Sequence, residues 1–173
     1  GGRDAFAEIA TLQPSKDATL IESATGNLAN GSGPAIFAGR VSASTDPRRR
    51  ALLAFDIAGS VPAGSVITGV TLSLNLSQTN AGPVTIRLHK VIGEWGEGPS
   101  IASGGGGALS MQGDSTWLHR FYADLFWAVP GGDFDLSPSA DVAVDQPGVY
   151  AWGSTAAMVS DVQRWLDHAQ TNF

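Results

Sequence analysis

The stretch VITGVTLSLNL, residues 66–76, carries the clearest structural pattern in this sequence of 173 residues. From position 70 onward, every even position is valine or leucine, and every odd position is threonine, serine or asparagine. Successive side chains of a β-strand point to opposite faces, so this alternation predicts a strand with one buried and one wet face. The chain is therefore expected to contain a half-buried β-sheet.

Further strand patterns on either side predict an all-β fold. Residues 84–88 alternate again after a turn rich in Asn, Gly and Pro at 78–83, and we expect an antiparallel hairpin between 66–76 and 84–88. Upstream, residues 51–57 are more continuously apolar, which is typical of a strand inside a sandwich. Short strands separated by Gly and Pro turns indicate a sandwich or a barrel. The shorter predicted strands are 19–22, 36–39, 116–121, 140–144 and 149–152.

One segment, residues 154–168, departs from the β pattern. Its apolar residues recur at helical spacing, which predicts an amphipathic α-helix. Ser154 is the expected N-cap, and Asp161 and Arg164 are expected on the outer side of the helix. We expect this helix to lie over one open edge or end of the sandwich.

Composition and charge exclude several classes of protein. The 10 Lys and Arg residues against 16 Asp and Glu residues give a net charge of −6, whereas a nucleic-acid binder needs a basic face for phosphates. Cysteine is absent, which excludes disulfides, thiolate catalysis and cysteine-ligated metal sites. The longest uncharged stretch, 57–86, is interrupted by proline and glycine, so we expect no membrane span. The length and the 43% of hydrophobic residues favour one globular domain.

The low content of charged residues, with polarity carried mostly by uncharged residues, is typical of an extracellular or surface protein. Only 15% of the residues are charged, and Ser, Thr, Asn and Gly carry most of the remaining polarity. The sequence begins GGRD without a charged and apolar leader, so we expect that any signal peptide has already been removed. The expected location is extracellular or at the cell surface.

Six short strings occur in an order that points to a family. They are RRRALLAFD (48–56), VPAGSVI (61–67), LHKV (88–91), EWGEG (94–98), GDSTW (113–117) and DVQRWLD (161–167). In this order they resemble the DNRLRE-domain family of bacterial extracellular β-sandwich modules, over about residues 19–173. The hexapeptide that names the family does not occur here. Family members usually continue past the equivalent of residues 172–173 into a final apolar strand, so we expect either a truncated sequence or a strand supplied from elsewhere.

The resemblance implies a secreted or surface-attached module that is not itself catalytic. It implies an all-β, jelly-roll-like antiparallel β-sandwich, to which the sequence adds one C-terminal amphipathic helix at about 154–168. Some related modules are treated as carbohydrate-binding domains attached to polysaccharide-degrading enzymes. We expect residues 14–173 to form the single sandwich domain and residues 1–13 to form an N-terminal extension. The resemblance implies no catalytic residue.

Aromatic and basic residues are the candidates for ligand binding. Exposed tryptophans can stack on sugar rings, and Trp95 and Trp127 lie in loops that contain glycine. We expect Trp127 to be exposed, although most large aromatic residues in a chain of this size belong to the core. Arg48, Arg49 and Arg50 form a basic cluster in an acidic protein. A solvated turn is the default interpretation of this run, and pairing with an acidic polysaccharide or with a neighbouring subunit's carboxylates is the alternative.

Oxygen-bearing side chains suggest a structural Ca²⁺ as the one candidate cofactor. Asp17, Glu22, Asn27 and Asn30 follow one another around a predicted loop. Calcium takes about six to eight oxygen ligands and tolerates irregular loops. These residues lack EF-hand spacing, and Asx-turns and capping explain isolated Asp and Asn residues equally well. Absence of any cofactor is the other expectation.

A hydrolase is the least favoured function. Glu94 and Glu97 flank Trp95, but a glycosidase needs two carboxyls at a fixed separation across a cleft, which spacing alone cannot show. The simpler interpretation is a structured loop in which Trp95 plugs the end of the sandwich. The three histidines lie on different predicted elements without metal-ligand spacing, and no Gly-x-Ser-x-Gly elbow occurs.

Two functions of different classes remain. The first is a non-catalytic extracellular structural or binding module, a surface or matrix protein that binds carbohydrate or acts in adhesion, with a polysaccharide as its partner. The second is a self-assembling subunit of an extracellular filament, with copies of itself as partners. In that case the N-terminal segment, with apolar Phe6, Ile9 and Leu12, is expected to complement the open sheet edge of a neighbour.

Overall fold

The structure, a computed structural model, describes residues 8–41 and 47–173. These residues fold mostly into β-strands in antiparallel sheets, with one helix of 12 residues near the C-terminus. A 3-10 helix at Ala169–Thr171 follows that helix. The elements are, in chain order, β1 (Lys16–Ile21), β2 (Leu28–Asn30), β3 (Gly39–Arg40), β4 (Arg48–Ala54), α1 (Ile57–Ser60), β5 (Leu72–Leu76), β6 (Val84–Leu88), β7 (Ala108–Leu109), β8 (His119–Phe121), β9 (Leu125–Phe126), β10 (Ala140–Val144), β11 (Gly148–Trp152) and α2 (Ala156–Asp167).

Strand β1 is the centre of the largest sheet, whose strand order is β3-β4-β1-β2-β7. Its antiparallel ladder with β4 runs over six residue pairs. Residues 18–21 of β1 are 0% exposed, as expected for a strand that is paired on both sides and covered on both faces. The polar member of this run, Thr19, accepts a hydrogen bond from Phe37 N through its hydroxyl at 3.1 Å. The buried strand therefore leaves no unpaired hydroxyl in the core.

The first core packs against β1 and β4 and is built around three tryptophans. Val91, Leu118 and Phe173 are partly buried against it. Burying a large apolar side chain stabilises a fold by about 1.5–3 kcal/mol, so these indoles contribute much of the hydrophobic stabilisation of this unit. The buried members of the first core are Ala18, Leu20, Leu52, Ala54, Trp95, Trp117 and Trp127.

The second core lies between two sheets of two strands each. β5 pairs with β11 and β6 pairs with β10, each over five residue pairs. Trp152 links the two sheets, because its indole Nε1 on β11 donates to Ile86 O on β6 at 3.1 Å. Only Ala140, Trp152 and Met158 are buried in this cluster, so it is less completely covered than the first core. Its partly buried members are Val70, Leu72, Leu74, Ile86, Leu88, Val142 and Tyr150.

Helix α2 begins one residue later than Ser154 would place it. The side chain of Thr155 caps the helix by accepting from Met158 N at 3.0 Å, so the predicted N-cap Ser154 is wrong. The hydroxyl of Ser154 instead accepts a hydrogen bond from Val70 N. No helix in the described part of the chain is both long and apolar enough to cross a membrane.

Asp161 points into the protein, which corrects the prediction that it lies on the outer side of α2. It follows Met158 by three positions, and that spacing places both side chains on one face of a helix. Its carboxylate accepts from Lys90 Nζ at 2.7 Å and from Ser139 Oγ at 2.6 Å. This ion pair fastens α2 to the chain just after β6.

The predicted hairpin between β5 and β6 is wrong. The two strands are neighbours in sequence, but β5 pairs with β11 and β6 pairs with β10. The first of them is also shorter than predicted, because it starts at Leu72 and Val66 is 80% exposed. Alternation determines the two faces of a strand but leaves its partner open. The inward leucines of β5 lie beside Tyr150 and Trp152 of β11.

The unequal coverage of the two cores predicts unequal effects of truncating a leucine. Leu20→Ala empties a fully buried site, and we expect it to lower the free energy of unfolding by about 3–4 kcal/mol. Leu74→Ala removes a partly buried side chain, and we expect a loss of about half that size. Urea denaturation of both variants measures the difference. Equal losses, or a larger loss for Leu74→Ala, would contradict an incompletely covered second core.

Candidate functional site

The three consecutive arginines belong to strand β4, so the default prediction of a solvated turn is wrong. Side chains alternate along a strand, which places Arg48 and Arg50 on one face and Arg49 on the other. Arg49 is 7% exposed, and its guanidinium donates to the carbonyls of Pro47, Arg48 and Gly105. Arg49 therefore anchors the glycine-rich loop to the sheet and is not available to an external anion.

Arg48 holds the carboxylate of Glu22 with three hydrogen bonds, two from its guanidinium and one from its backbone N. Its Nε donates to Glu22 Oε2 at 3.0 Å, its Nη2 donates to Oε1 at 2.7 Å, and its backbone N donates to Oε2 at 2.7 Å. Bidentate pairs of this kind add geometric specificity to charge attraction. The hydrogen bonds from Arg48 lower the pKa of Glu22 to about 2 from an ordinary value of 4.5. Glu22 is therefore ionised and fixed in orientation at neutral pH.

Trp117 is in contact with both Arg48 and Arg50, which lie on the same face of β4 as the core residues Leu52 and Ala54. The guanidinium carbons of Arg48 and Arg50 lie 4.9 Å and 5.0 Å from its ring centroid, within the range of a cation–π contact. Arg50 also donates to Gly131 O. Gly131 has φ +95°, and a Cβ there would lie 2.8 Å from Cζ2 of Trp117. The close approach of this loop to the indole therefore requires glycine.

A cleft of about 430 Å³ opens beside this cluster, and we call it the Trp117 cleft. The hydroxyl of Ser23 is buried and has no hydrogen-bond partner among the described residues. The volume falls within the roughly 300–1,000 Å³ that is usual for small-molecule sites. The lining residues are Glu22, Ser23, Ala24, Pro47, Trp117, Leu118 and Pro130.

Sequence reasoning identified only one residue of this cleft as a site residue. Glu22 was predicted as a calcium ligand, and it lines the cleft as the partner of Arg48. Ser23 follows it directly in the sequence, but a single serine carries no signal of an unpaired hydroxyl. Trp117 lies far away in sequence and reaches Glu22 only through the packing of the first core. The tryptophan of the GDSTW string was the sole available hint.

The prediction that Trp127 is exposed is wrong. The residue is 5% exposed, and its Nε1 donates to Thr116 O at 3.0 Å. Trp95 is 1% exposed, and Lys16 Nζ lies 4.3 Å from its ring centroid. Both indoles belong to the first core because the leucines and alanines of β1 and β4 leave a volume that only large side chains fill. Neither ring therefore offers a face to a sugar.

The carboxylates of Glu94 and Glu97 accept hydrogen bonds from residues of strand β1. Glu94 Oε1 accepts from Lys16 Nζ at 2.5 Å, and Glu97 Oε1 accepts from Asp17 N at 3.0 Å. Burial, and secondly the charge of Glu97, raise the pKa of Asp17. These contacts hold the loop around Trp95 against strand β1.

The four predicted calcium ligands do not converge on one point. Asp17 and Glu22 are five positions apart on β1 and its continuation, a distance of roughly 16 Å along a strand. Asn27 is exposed in the loop before β2, whereas Asn30 is buried and its Oδ1 accepts from Ala102 N at 3.0 Å. Among the described residues, no group of three or more His, Cys, Asp or Glu side chains is placed to hold a metal ion. One ion bound by all four residues is therefore incompatible with this arrangement.

The predicted assembly residues lie in the segment before β1. Phe6 falls outside the described residues. Residues 8–14 contain neither helix nor strand; Ile9 is 89% exposed and Leu12 is partly buried. The role of this segment as a donor, and the boundary between residues 13 and 14, stay predictions.

Comparisons of the chain with protein-family models, with curated proteins and with solved structures found no match. The resemblance to the DNRLRE-domain family therefore rests on the six strings alone.

The lowered pKa of Glu22 predicts a loss of stability in acid. A carboxyl whose pKa is lower in the folded state contributes stability above its unfolded pKa and loses it as the pH falls through the folded pKa. For Glu22 this loss extends from about pH 4.5 down to about pH 2. We expect Glu22→Gln to be less stable than the parent chain at neutral pH, and the gap to shrink across that window.

Urea denaturation from neutral pH down to about pH 2 measures this gap. The matched control is Glu8→Gln, which removes an exposed glutamate outside β1 and β4. A gap between the parent and Glu22→Gln that stays constant across the window would contradict the pairing with Arg48.

Proposed function

We propose that the chain is a non-catalytic binding module of the cell exterior that takes up a saccharide in the Trp117 cleft. The observation that carries the proposal is a rigidly held, ionised carboxylate beside an unpaired hydroxyl in a cleft of suitable size. A buried polar group without a partner destabilises a fold by about 1–3 kcal/mol. Ser23 lines the cleft, so a local shift of its side chain lets a ligand pair with the hydroxyl and remove that penalty.

The polar groups of the cleft complement the hydroxyls of a sugar. A carboxylate has about four acceptor positions, and Arg48 fills three of those on Glu22, which leaves one on Oε1. The Ser23 hydroxyl both donates and accepts. Sugar hydroxyls also donate and accept, so each of these groups finds a partner in the same ligand.

The charges around the cleft favour a neutral saccharide over an acidic one. The ionised Glu22 repels the carboxylates of a polyuronate. The guanidinium of Arg48 is neutralised by Glu22, and that of Arg50 is directed to Gly131 O. Leu118 and the two prolines provide apolar surface for the C–H faces of sugar rings. We therefore propose that the arginines hold the residues that line the cleft in place and do not themselves bind an acidic polysaccharide.

We also propose that the architecture is a jelly-roll-like sandwich. The support for it is that residues of the β5–β11 and β6–β10 sheets share one apolar core, with the Trp152 indole bonded across it. The six DNRLRE-like strings support the same architecture, a location outside the cell and a polysaccharide partner.

Saccharide binding is tested by titration calorimetry of the whole chain, in calcium and in EDTA. The neutral probes are soluble galactomannan, xyloglucan, mixed-linkage β-glucan and starch, and the acidic probe is polygalacturonate. We expect at least one of the neutral probes to bind. Ser23→Ala should weaken that binding about 3- to 10-fold, because one buried hydrogen bond to the ligand is lost. Ala24→Trp, which fills the cleft, should abolish it. The matched controls are Ser137→Ala and Ala63→Trp, which change exposed residues that do not line the cleft.

Two results would overturn the proposal. One is that none of the neutral probes binds, or that polygalacturonate alone does. The other is binding that Ser23→Ala and Ala24→Trp leave unchanged. Binding that occurs in calcium and vanishes in EDTA would show that a metal ion takes part, and the same variants would then locate the ligand.

Self-assembly by added strands is the second candidate function. The observation that favours it is that β5 and β6 each have a ladder on one side only within the described residues. A strand with an unpaired side can accept another strand through backbone hydrogen bonds. The predicted donor, the N-terminal segment, contributes an Ile9 side chain that is 89% exposed.

A further inference from the structure

His119 contacts both of the chain segments that line the Trp117 cleft. One segment supplies residues 22–24 of the lining, and the other supplies Trp117 and Leu118. The first segment reaches His119 through Gly26, which has φ +63° and lies so close that a Cβ there would be 3.0 Å from Nδ1 of His119. The second segment ends at His119, because this residue follows Leu118 in the chain. The imidazole is 6% exposed and is therefore enclosed between the two segments.

The hydroxyl of Thr116 determines the tautomer of this histidine. Its Oγ1 accepts from Leu118 N at 3.1 Å and from His119 N at 2.9 Å. A hydroxyl has two acceptor lone pairs and one proton to donate. The remaining contact, from Oγ1 to Nδ1 of His119 at 2.9 Å, is therefore made with the hydroxyl proton. Nδ1 is then the unprotonated nitrogen, and the neutral ring carries its proton on Nε2.

A second proton on this ring conflicts with the same hydrogen bonds. An imidazolium donates from both nitrogens, and its Nδ1–H would face an oxygen whose lone pairs already accept two backbone N–H groups. At least one of these bonds must then break. The rings of Tyr122 and Phe126, with centroids 5.1 Å and 4.2 Å away, enclose the imidazole. This burial lowers the pKa of His119 from its ordinary value of 6.5.

The charged groups around His119 do not compensate for a charge on its ring. The segments packed against it, residues 22–27 and 113–126, carry the charged side chains Glu22, Asp114, Arg120 and Asp124, with Tyr122 as a further titratable group. Glu22 is paired with Arg48, and the two aspartates accept hydrogen bonds from residues 100, 111 and 112. The fourth group is a cation. Within residues 8–41 and 47–173, no ion pair includes His119.

We propose that His119 is a positioning residue of the Trp117 cleft, whose neutral ring holds the two lining segments together and whose protonation in mild acid separates them. A protonated ring no longer accepts from Thr116, so the turn that presents Trp117 and Leu118 loosens against the Gly26 segment. A saccharide is therefore held at neutral pH and released in mild acid. This inference rests on the proposed function only in taking the cleft as the ligand site.

The pH range follows from the direction of the pKa shift. Below the ordinary pKa of 6.5 and above the folded pKa, the unfolded chain binds a proton that the folded chain does not. Stability is therefore lost as the pH falls, and the unfolding constant rises by up to about 10-fold per pH unit. The loss that involves Glu22 lies lower, between about pH 4.5 and about pH 2, so the two effects are separable.

Nuclear magnetic resonance of the whole parent chain tests the inference without a variant. Two-bond ¹H–¹⁵N spectra should show the Nε2–H tautomer of His119 at neutral pH and a titration midpoint below 6.5. As the ring titrates, exchange protection of the Leu118 and His119 amides should fall, because both donate to Thr116 Oγ1. The amides of residues 18–21 in β1 should stay protected and serve as the internal control.

His119→Asn separates titration from structure. The Oδ1 of asparagine can accept from Thr116 in place of Nδ1, but asparagine does not titrate. We expect this variant to lack the steep loss of stability between neutral pH and about pH 5 that the parent chain shows in urea denaturation. His119→Leu supplies no acceptor and should be less stable than His119→Asn throughout this range. The matched control is His168→Asn, which changes an exposed histidine outside the cleft and should keep the pH dependence of the parent.

Three results would overturn this role of His119. They are an Nδ1–H tautomer at neutral pH, equal pH dependence of stability in the parent and His119→Asn, and Leu118 and His119 amides that stay protected while the ring titrates. If a saccharide probe binds, its affinity should fall towards about pH 5 in the parent and stay constant in His119→Asn. A constant affinity in the parent would remove the switch and leave saccharide binding intact. Absence of any binding would remove the proposed function, while the spectra still test His119.

Discussion

The six-pair ladder between β1 and β4 is the contact on which the rest of the structure depends. It buries Leu20 and Leu52 in the first core, and it continues through a hydrogen bond from Glu22 N to Arg48 O at 3.0 Å. The register that builds the core therefore also places Glu22 beside Arg48, and it places Arg48 and Arg50 against Trp117. A slip by one residue would turn those arginines to the other face and remove one wall of the cleft.

The two β units differ in how completely they are covered. In the first unit, β1 is paired on both sides and its residues 18–21 are fully buried, so rigid polar groups can be held beside a cleft. In the second unit, each sheet has two strands and the inward leucines are partly exposed. The proposed ligand binding in the first unit and the proposed strand pairing in the second are consistent with this difference. A rigid frame suits a preformed site, whereas an uncovered edge suits association.

The strands themselves were largely predictable from sequence, whereas their partners were not. Alternation located β10 at residues 140–144 and β11 within one residue, and helical spacing located α2 within two residues. β5 and β6, by contrast, pair with strands more than 50 positions away, which no local pattern encodes.

The cleft was the least predictable part of the structure. An arginine run is ordinarily solvated, but here Arg48 and Arg50 pack against the indole of Trp117. A loop tryptophan can be exposed, but here Trp127 fills volume in the first core.

The unequal coverage of the two units is tested most directly by hydrogen exchange of individual backbone amides, at a concentration where the chain is monomeric. The amides of residues 18–21 in β1 should exchange only through global unfolding. Those of β5 and β6 should exchange earlier, through local opening of the second unit. Equal protection of β1 and β5, or slower exchange in β5 than in β1, would contradict the division into a closed, site-bearing unit and an open one.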